Sequence, residues 1–169
     1  ELWEGDDGPE LRERFLREAR AAGRLLHPGI VTIYEFGESD GAAFIAMEHI
    51  TGDALNDLVA QGRRFTPDEV LQIIIPVLKA LGYSHRFGVI HRDIKPANIM
   101  ITTDGDIKIL DFGVARLSSA NITQAGTILG TLTYMAPEQL PGESVDSRAD
   151  IYRVGVLLWE LLTGKRLYS

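Results

Sequence analysis

The chain has 169 residues, 45% of them apolar, which is enough for one domain with a sizeable core. Its formal net charge of −7 would repel nucleic acid and anionic membrane surfaces, so neither is an expected partner. The absence of cysteine excludes disulfides and thiolate metal sites and fits a reducing, cytoplasmic location. No apolar run approaches the roughly 20 residues of a membrane helix, so no membrane segment is expected in this chain.

The first third of the chain predicts a helix followed by a pair of strands. Apolar residues recur at spacings of three and four from Leu11 to Leu26, and the histidine, proline and glycine at 27–29 should end this helix. Residues 30–36 and 43–50 are predicted to be strands, joined by a polar, glycine-containing turn.

The middle of the chain predicts two helices. The first is short and spans residues 55–60. The second begins with Thr66 as its cap and Pro67 at its first position, and it ends near Arg86. This second helix is apolar nearly all round, which predicts burial on most sides, and Pro76 should kink it.

The last part predicts a small hairpin, a loop and a final helix. Residues 98–102 and 107–110 flank an Asp-Gly pair that favours a tight turn. The Ser/Thr/Gly-rich residues 117–133 are predicted to form a mobile loop, and an apolar helix is predicted for residues 148–162. This order of elements predicts an α+β domain with its strands gathered at one end.

Three short motifs carry the chemistry, namely HRDIKPAN at residues 91–98, DFG at 111–113 and APE at 136–138. Phosphoryl transfer requires a carboxylate that orients the attacking hydroxyl and accepts its proton, and Asp93 fits this role. The transfer also needs hard cations with oxygen ligands, which Asn98 and Asp111 can supply from the two sides of the small hairpin. The alternative interpretation of these residues is a solvated loop and turn.

The ordered set resembles the signatures of eukaryotic-like serine/threonine protein kinases, and the phrases KPANIMI and MAPEQ resemble their bacterial branch. A lysine at the position of Lys95 is typical of the serine/threonine branch, since tyrosine kinases usually lack it. This lysine can reach the transferred phosphate. The resemblance implies a protein-kinase-like fold in which residues 1–50 belong to the N-lobe (αC, β4, β5 and hinge). Residues 51–169 would then form a mainly helical C-lobe up to αF.

The resemblance also implies a nucleotide site for ATP with Mg²⁺ or Mn²⁺, and protein substrates that present Ser or Thr. Glu18 would pair with a lysine of strand β3, although a solvated surface glutamate is the simpler interpretation of this residue alone. The backbone groups of Glu48 and Ile50 would bind adenine, with Met47 as the gatekeeper and Met100 under the ring. Core packing is the alternative for the two methionines.

Regulatory and structural residues follow from the same resemblance. Arg92 would pair with a phosphorylated loop threonine, and Thr123 is favoured over Thr127, with ordinary loop threonines as the alternative. Thr131 would bond Asp93 and Lys95 and position the substrate. Four further residues are expected to be structural, and Asp150 among them should accept backbone hydrogen bonds from the catalytic loop: His91, Phe112, Glu138 and Asp150.

The chain departs from the family pattern in three ways. Neither a glycine-rich phosphate loop nor a β3 lysine precedes Glu18, and the chain stops at Ser169 just past αF. We therefore expect a piece of a longer kinase with little turnover by itself, in which Glu138 lacks its usual arginine partner. A pseudokinase or scaffold is the alternative. A membrane anchor outside this chain would fit the bacterial relatives.

Arg153 stands where relatives usually have a small residue, and we expect it to reach solvent or to destabilise the domain.

Overall fold

The computed structural model describes residues 8–39, 42–112, 133–139 and 145–168. Within these residues, helices and strands occur in separate groups along the chain instead of alternating one by one. The helices and strands of these residues are α1 (Gly8–Ala22), β1 (Ile33–Ser39), β2 (Ala42–Met47), β3 (Gly52–Ala54), α2 (Leu55–Ala60), α3 (Pro67–Arg86), β4 (Ile99–Thr102), β5 (Ile107–Ile109) and α4 (Arg148–Thr163). Short 3₁₀ turns lie at Pro96–Asn98 and Pro137–Gln139. The predicted α+β class is confirmed, and no described helix is long and apolar enough to cross a bilayer.

Helix α1 is shorter than predicted. It ends at Ala22, four residues before the end of the apolar pattern. Beyond the helix the spacing of 3.6 residues per turn no longer holds, so Leu25 rather than Leu26 enters the core. Leu25 is 2% exposed and Leu26 is 71% exposed. The prediction that the helix continues to Leu26 was therefore wrong.

The first strand pair is an antiparallel hairpin shifted from its predicted bounds. β1 and β2 pair from Ile33 opposite Met47 to Ser39 opposite Ala42, with an irregularity between Ile33 and Glu35. The strands therefore include residues that were predicted to form the turn. Ile30, predicted as the start of the first strand, instead forms a parallel bridge with Ile109 of β5.

Helix α3 begins as predicted, with a complete capping box. The Thr66 hydroxyl accepts a hydrogen bond from the Glu69 amide at 3.3 Å, and the Glu69 carboxylate accepts one from the Thr66 amide at 2.8 Å. One face of α3 is buried, but the expectation of burial on most sides was wrong. Leu71, Ile75 and Leu78 are 50%, 46% and 39% exposed on the other face.

The second sheet places the predicted hairpin beside the helices. β3, β4 and β5 form an antiparallel sheet in the order β3-β4-β5, and Gly105 has a φ of 88° in the turn between β4 and β5. Helix α4 packs against α3, and its buried residues join one hydrophobic cluster with those of α1, α2, α3 and β5. The loop between α3 and β4 lies against this cluster through Ile94, which is fully buried.

Candidate active site

Asp150, in the first turn of α4, anchors the loop that follows α3. Its carboxylate is fully buried and accepts backbone hydrogen bonds from His91 at 2.9 Å and Arg92 at 2.7 Å. The His85 ring nitrogen Nε2 lies 2.7 Å from the same carboxylate. Arg92 has a φ of 67°, a left-handed conformation that is costly for a residue with a Cβ. The bond from its amide to Asp150 helps to hold this conformation.

His91 is a buried, neutral histidine that fixes the backbone on both sides of the site. Its Nε2 lies 2.7 Å from the Leu110 carbonyl oxygen, which only accepts, so the proton is on Nε2. Its Nδ1 accepts a hydrogen bond from the Asp93 amide at 3.2 Å. The ring meets the Phe112 ring edge-on at 4.6 Å. Burial lowers the pKa of His91, although nearby carboxylates, Asp150 foremost, oppose the effect.

Stability should therefore fall on acidification through His91. Below its unfolded pKa of about 6.5, the unfolded chain binds a proton that the folded chain does not bind, so the free energy of unfolding decreases. The slope from this residue approaches at most about 1.4 kcal/mol per pH unit. His91→Gln keeps a donor for the Leu110 carbonyl but does not titrate. We expect the free energy of unfolding to fall more between pH 7.5 and 5.5 in the wild type than in His91→Gln; equal falls would contradict this role.

Asp93 lies in the centre of a cluster of donors. Its Oδ2 is 2.7 Å from Lys95 Nζ and accepts a hydrogen bond from Asn98 Nδ2 at 3.0 Å. The same Asn98 nitrogen donates to the Asp93 backbone carbonyl at 2.7 Å. The carboxylate is thus held in one orientation by contacts on Oδ2, while Oδ1 lies on its other side.

Asn98 and Asp111 are brought to the same end of the β4–β5 hairpin. The Leu110 amide donates to the Asn98 carbonyl at 2.9 Å, so Asp111 directly follows the residue that pairs with Asn98. The Asn98 amide nitrogen contacts two oxygens of Asp93, which leaves Oδ1 as a potential ligand, and the Asp111 side chain is exposed. Oxygen donors of this kind suit Mg²⁺. No group of three or more acidic, His or Cys side chains that could hold a metal occurs in the described ranges, so phosphate and water oxygens would have to complete the shell.

The residues expected to bind adenine lie where β2 leaves the hairpin. The Glu48 amide is bonded to the Thr32 carbonyl at 2.8 Å. The Glu48 carboxylate is bound by Lys108 Nζ at 2.8 and 2.9 Å, and this contact is the main reason that the pKa of Glu48 is lowered. Met47 is 39% exposed at the end of β2, and Met100 is half-buried in β4 opposite Ala54.

Glu18 of α1 faces the loop between α3 and β4. Its carboxylate lies 3.8 Å from Arg92 Nη1, so the structure brings together two residues that the sequence assigned to different roles. A cavity of about 390 Å³ borders both side chains and reaches Phe112, which is 2% exposed. A smaller crevice is lined by Met47, Asp111 and Phe112. It extends from the end of β2 to Asp111.

The remaining predicted residues lie near the 3₁₀ turn at 137–139 or outside the described ranges. Glu138 is half-buried in that turn. The threonines at 123, 127 and 131 fall among residues 113–132, outside the part of the chain that the structure describes.

Two buried polar pairs were not anticipated. Arg153 is 1% exposed and donates to Gln139 Oε1 at 2.9 Å, with Nη1 3.5 Å from Asp93 Oδ1. Of the two outcomes expected for Arg153, exposure to solvent was wrong, and destabilisation of the domain stays a prediction. The Tyr134 hydroxyl donates to the buried Glu160 carboxylate, and burial raises the pKa of Tyr134. A charged residue inside an otherwise apolar helix, at positions 153 and 160, was the signal that could have revealed both pairs.

Comparison with known proteins finds one family model and several similar proteins, all of them protein kinases. The protein kinase domain family matches residues 4–169. The chain is 46% identical over 162 residues to a probable serine/threonine-protein kinase of Streptomyces coelicolor, covering 92% of this chain and 24% of that protein. It is 46% identical over 164 residues to the probable serine/threonine-protein kinase PknB of Corynebacterium glutamicum, covering 93% and 25%. For the serine/threonine-protein kinase PknB of Mycobacterium tuberculosis the identity is 43% over 164 residues, covering 93% and 26%. The chain thus spans about a quarter of the length of these relatives.

Proposed function

The chain belongs to the protein kinase domain family, and from this membership we propose that the protein carrying it transfers the γ-phosphoryl group of ATP to Ser and Thr hydroxyls of other proteins. The observation that carries the proposal is the arrangement of Asp93 between Lys95 and Asn98, beside the loop that bears Asp111. This arrangement joins a proton acceptor, a cation and two oxygen ligands.

Asp93 is proposed to orient the acceptor hydroxyl and to take its proton. Lys95 and Asn98 hold Oδ2, so Oδ1 is the oxygen that can accept the hydroxyl proton. Lys95 is 25% exposed and can contact the transferred phosphoryl group from its position beside the carboxylate. The buried His91 and Asp150 keep the backbone of this loop in place.

Asn98 and Asp111 are proposed to hold the divalent cation, Mg²⁺ or Mn²⁺. The bound cation would neutralise charge on the phosphate oxygens. The Asn98 amide can present Oδ1 because its nitrogen is held by Asp93. Asp111 has a φ of 56°, a conformation that aspartate tolerates better than most residues, and this conformation sets the direction of its side chain.

Adenine is proposed to bind at the end of β2. The Glu48 amide is already used by Thr32, so Glu48 can offer only its carbonyl to the base, and the Ile50 amide would be the donor. Met47 and Met100 would contact the ring. We assign residues 1–50 to the small lobe and residues 51–169 to the large lobe. The adenine-binding residues 47–50 then form the last part of the small lobe, where the chain passes to the large lobe. We propose a cytoplasmic location for this part of the protein, which the absence of cysteine from the chain supports.

Phosphate incorporation by the intact protein tests the proposal. With labelled ATP, Mg²⁺ and a generic Ser/Thr protein substrate, we expect transfer by the wild type and loss of transfer in Asp111→Asn. Asp104→Asn is the matched control, because Asn-Gly forms the same tight turn and residue 104 is exposed there. A wild-type protein without transfer, or an Asp111→Asn variant as active as the control, would overturn the proposal. The first of these results would favour the scaffold alternative.

A further inference from the structure

We infer that Arg153 is a positioning residue for Asp93, which it holds at two points: directly at the carboxylate and, through Gln139, at the preceding peptide. The inference deepens the proposed phosphoryl transfer and rests on it for its catalytic consequence. The contacts themselves join α4, the 3₁₀ turn at Pro137–Gln139 and the catalytic loop.

The first point of contact is the charge pair. Arg153 is 1% exposed, and a buried guanidinium is strongly disfavoured unless charged or polar groups compensate it. The Asp93 carboxylate faces it, with Oδ1 3.5 Å from Nη1. Oδ1 is the oxygen that Lys95 and Asn98 leave for the acceptor hydroxyl. A cation at this distance attracts Oδ1 but is too far away to make a short bond that would occupy it.

The second point of contact passes through Gln139. Its Oε1 accepts hydrogen bonds from Arg153 Nε at 2.9 Å and from the Ala136 amide at 3.1 Å. Two donors on one side fix which end of the amide is oxygen, so Nε2 faces the other way. Nε2 donates to the Arg92 carbonyl at 3.3 Å. That carbonyl belongs to the peptide that leads into Asp93.

Together the two contacts restrict the motions that would misplace the carboxylate. Rotation of the side chain would move Oδ1 away from Arg153, and rotation of the peptide would break the bond from Gln139 to Arg92. Arginine suits this position because its planar guanidinium offers separate nitrogens to two acceptors, whereas lysine has a single nitrogen. Displacement of a catalytic group by about 1 Å can cost about 100-fold in rate.

Steady-state kinetics of the intact protein test the catalytic consequence. In Arg153→Met, which keeps length but has no charge, we expect kcat to fall about 10- to 100-fold with the KM for ATP within about twofold of wild type. Arg153→Lys should keep more activity than Arg153→Met, because it retains the positive charge. It should be less active than the wild type, because it loses the bond to Gln139. Arg148→Met is the matched control, an arginine on the same helix whose side chain is 86% exposed and paired with Asp146. An unchanged or increased kcat in Arg153→Met would overturn the inference.

A double-mutant comparison of thermal stability does not depend on activity. If Arg153 and Asp93 interact, the fall in Tm of Arg153→Met combined with Asp93→Asn should be smaller than the sum of the two single falls. Additive falls would overturn the contact itself. A non-additive result in a protein that transfers no phosphate would refute the proposed function while leaving the contact established.

Discussion

Replacing Asp150 with alanine should lower the free energy of unfolding of the intact protein by about 3–5 kcal/mol, the largest stability effect that we expect from a single substitution. The carboxylate is fully buried and accepts bonds from the amides of His91 and Arg92 and from His85. Alanine would leave these donors without their acceptor at a site where the carboxylate is fully buried. The left-handed backbone at Arg92 would also lose its support. Chemical denaturation followed by circular dichroism measures the loss.

Two further variants distinguish the buried bonds from a general effect of charge removal. Asp150→Asn keeps one acceptor oxygen, so it should be less destabilising than alanine. Asp53→Ala removes an exposed aspartate from β3 and should leave the free energy of unfolding unchanged. If Asp150→Ala and Asp53→Ala had equal effects, the anchoring role of Asp150 would be wrong.

Replacing Asp93 with asparagine should lower kcat by about 100- to 10,000-fold, the range in which general-base groups contribute. The amide cannot accept the hydroxyl proton as the carboxylate does, and it no longer balances the charges of Lys95 and Arg153. Asn98 and Asp111 remain, so ATP with Mg²⁺ should still bind. Measurement of kcat together with the dissociation constant for Mg-ATP separates the chemical step from binding.

The control for this substitution is Asp106→Asn, an exposed aspartate at the turn end of the β4–β5 hairpin. It should leave both kcat and the affinity for Mg-ATP unchanged. A kcat for Asp93→Asn within tenfold of the wild type would falsify the assignment of Asp93 as the base. A loss of nucleotide binding in Asp93→Asn would instead mean that the residue supports the nucleotide site.

Local signals in the sequence were sufficient for several elements. The capping box at Thr66 and Glu69 and the turn at Gly105 depend on residues within a few positions of each other, and both occur as the residue types require. The motif residues Asp93 and Asn98 lie five positions apart, so their contact is also largely local. Helix α2 was predicted with its observed bounds.

Features that depend on distant residues were not predictable in the same way. Arg153 pairs with Asp93, 60 positions away, and the packing of α4 against the loop between α3 and β4 brings the two together. Whether Leu25 or Leu26 is buried depends on where α1 ends, and the apolar spacing does not determine that end. The bounds of β1 were wrong because its burial does not alternate regularly and its pairing is interrupted near Ile33.

The parallel bridge between Ile30 and Ile109 has a mechanical consequence. Both backbone groups of Ile109 are hydrogen-bonded to the chain around Ile30. Its amide donates to the Gly29 carbonyl at 2.8 Å, and its carbonyl accepts from the Val31 amide at 3.0 Å. The chain that enters β1 and the chain that leads to Asp111 therefore share one fixed pivot. If the β1–β2 hairpin tilts, it should turn about this bridge, so that Asp111 keeps its position relative to the base of the hairpin while the far ends of the strands move.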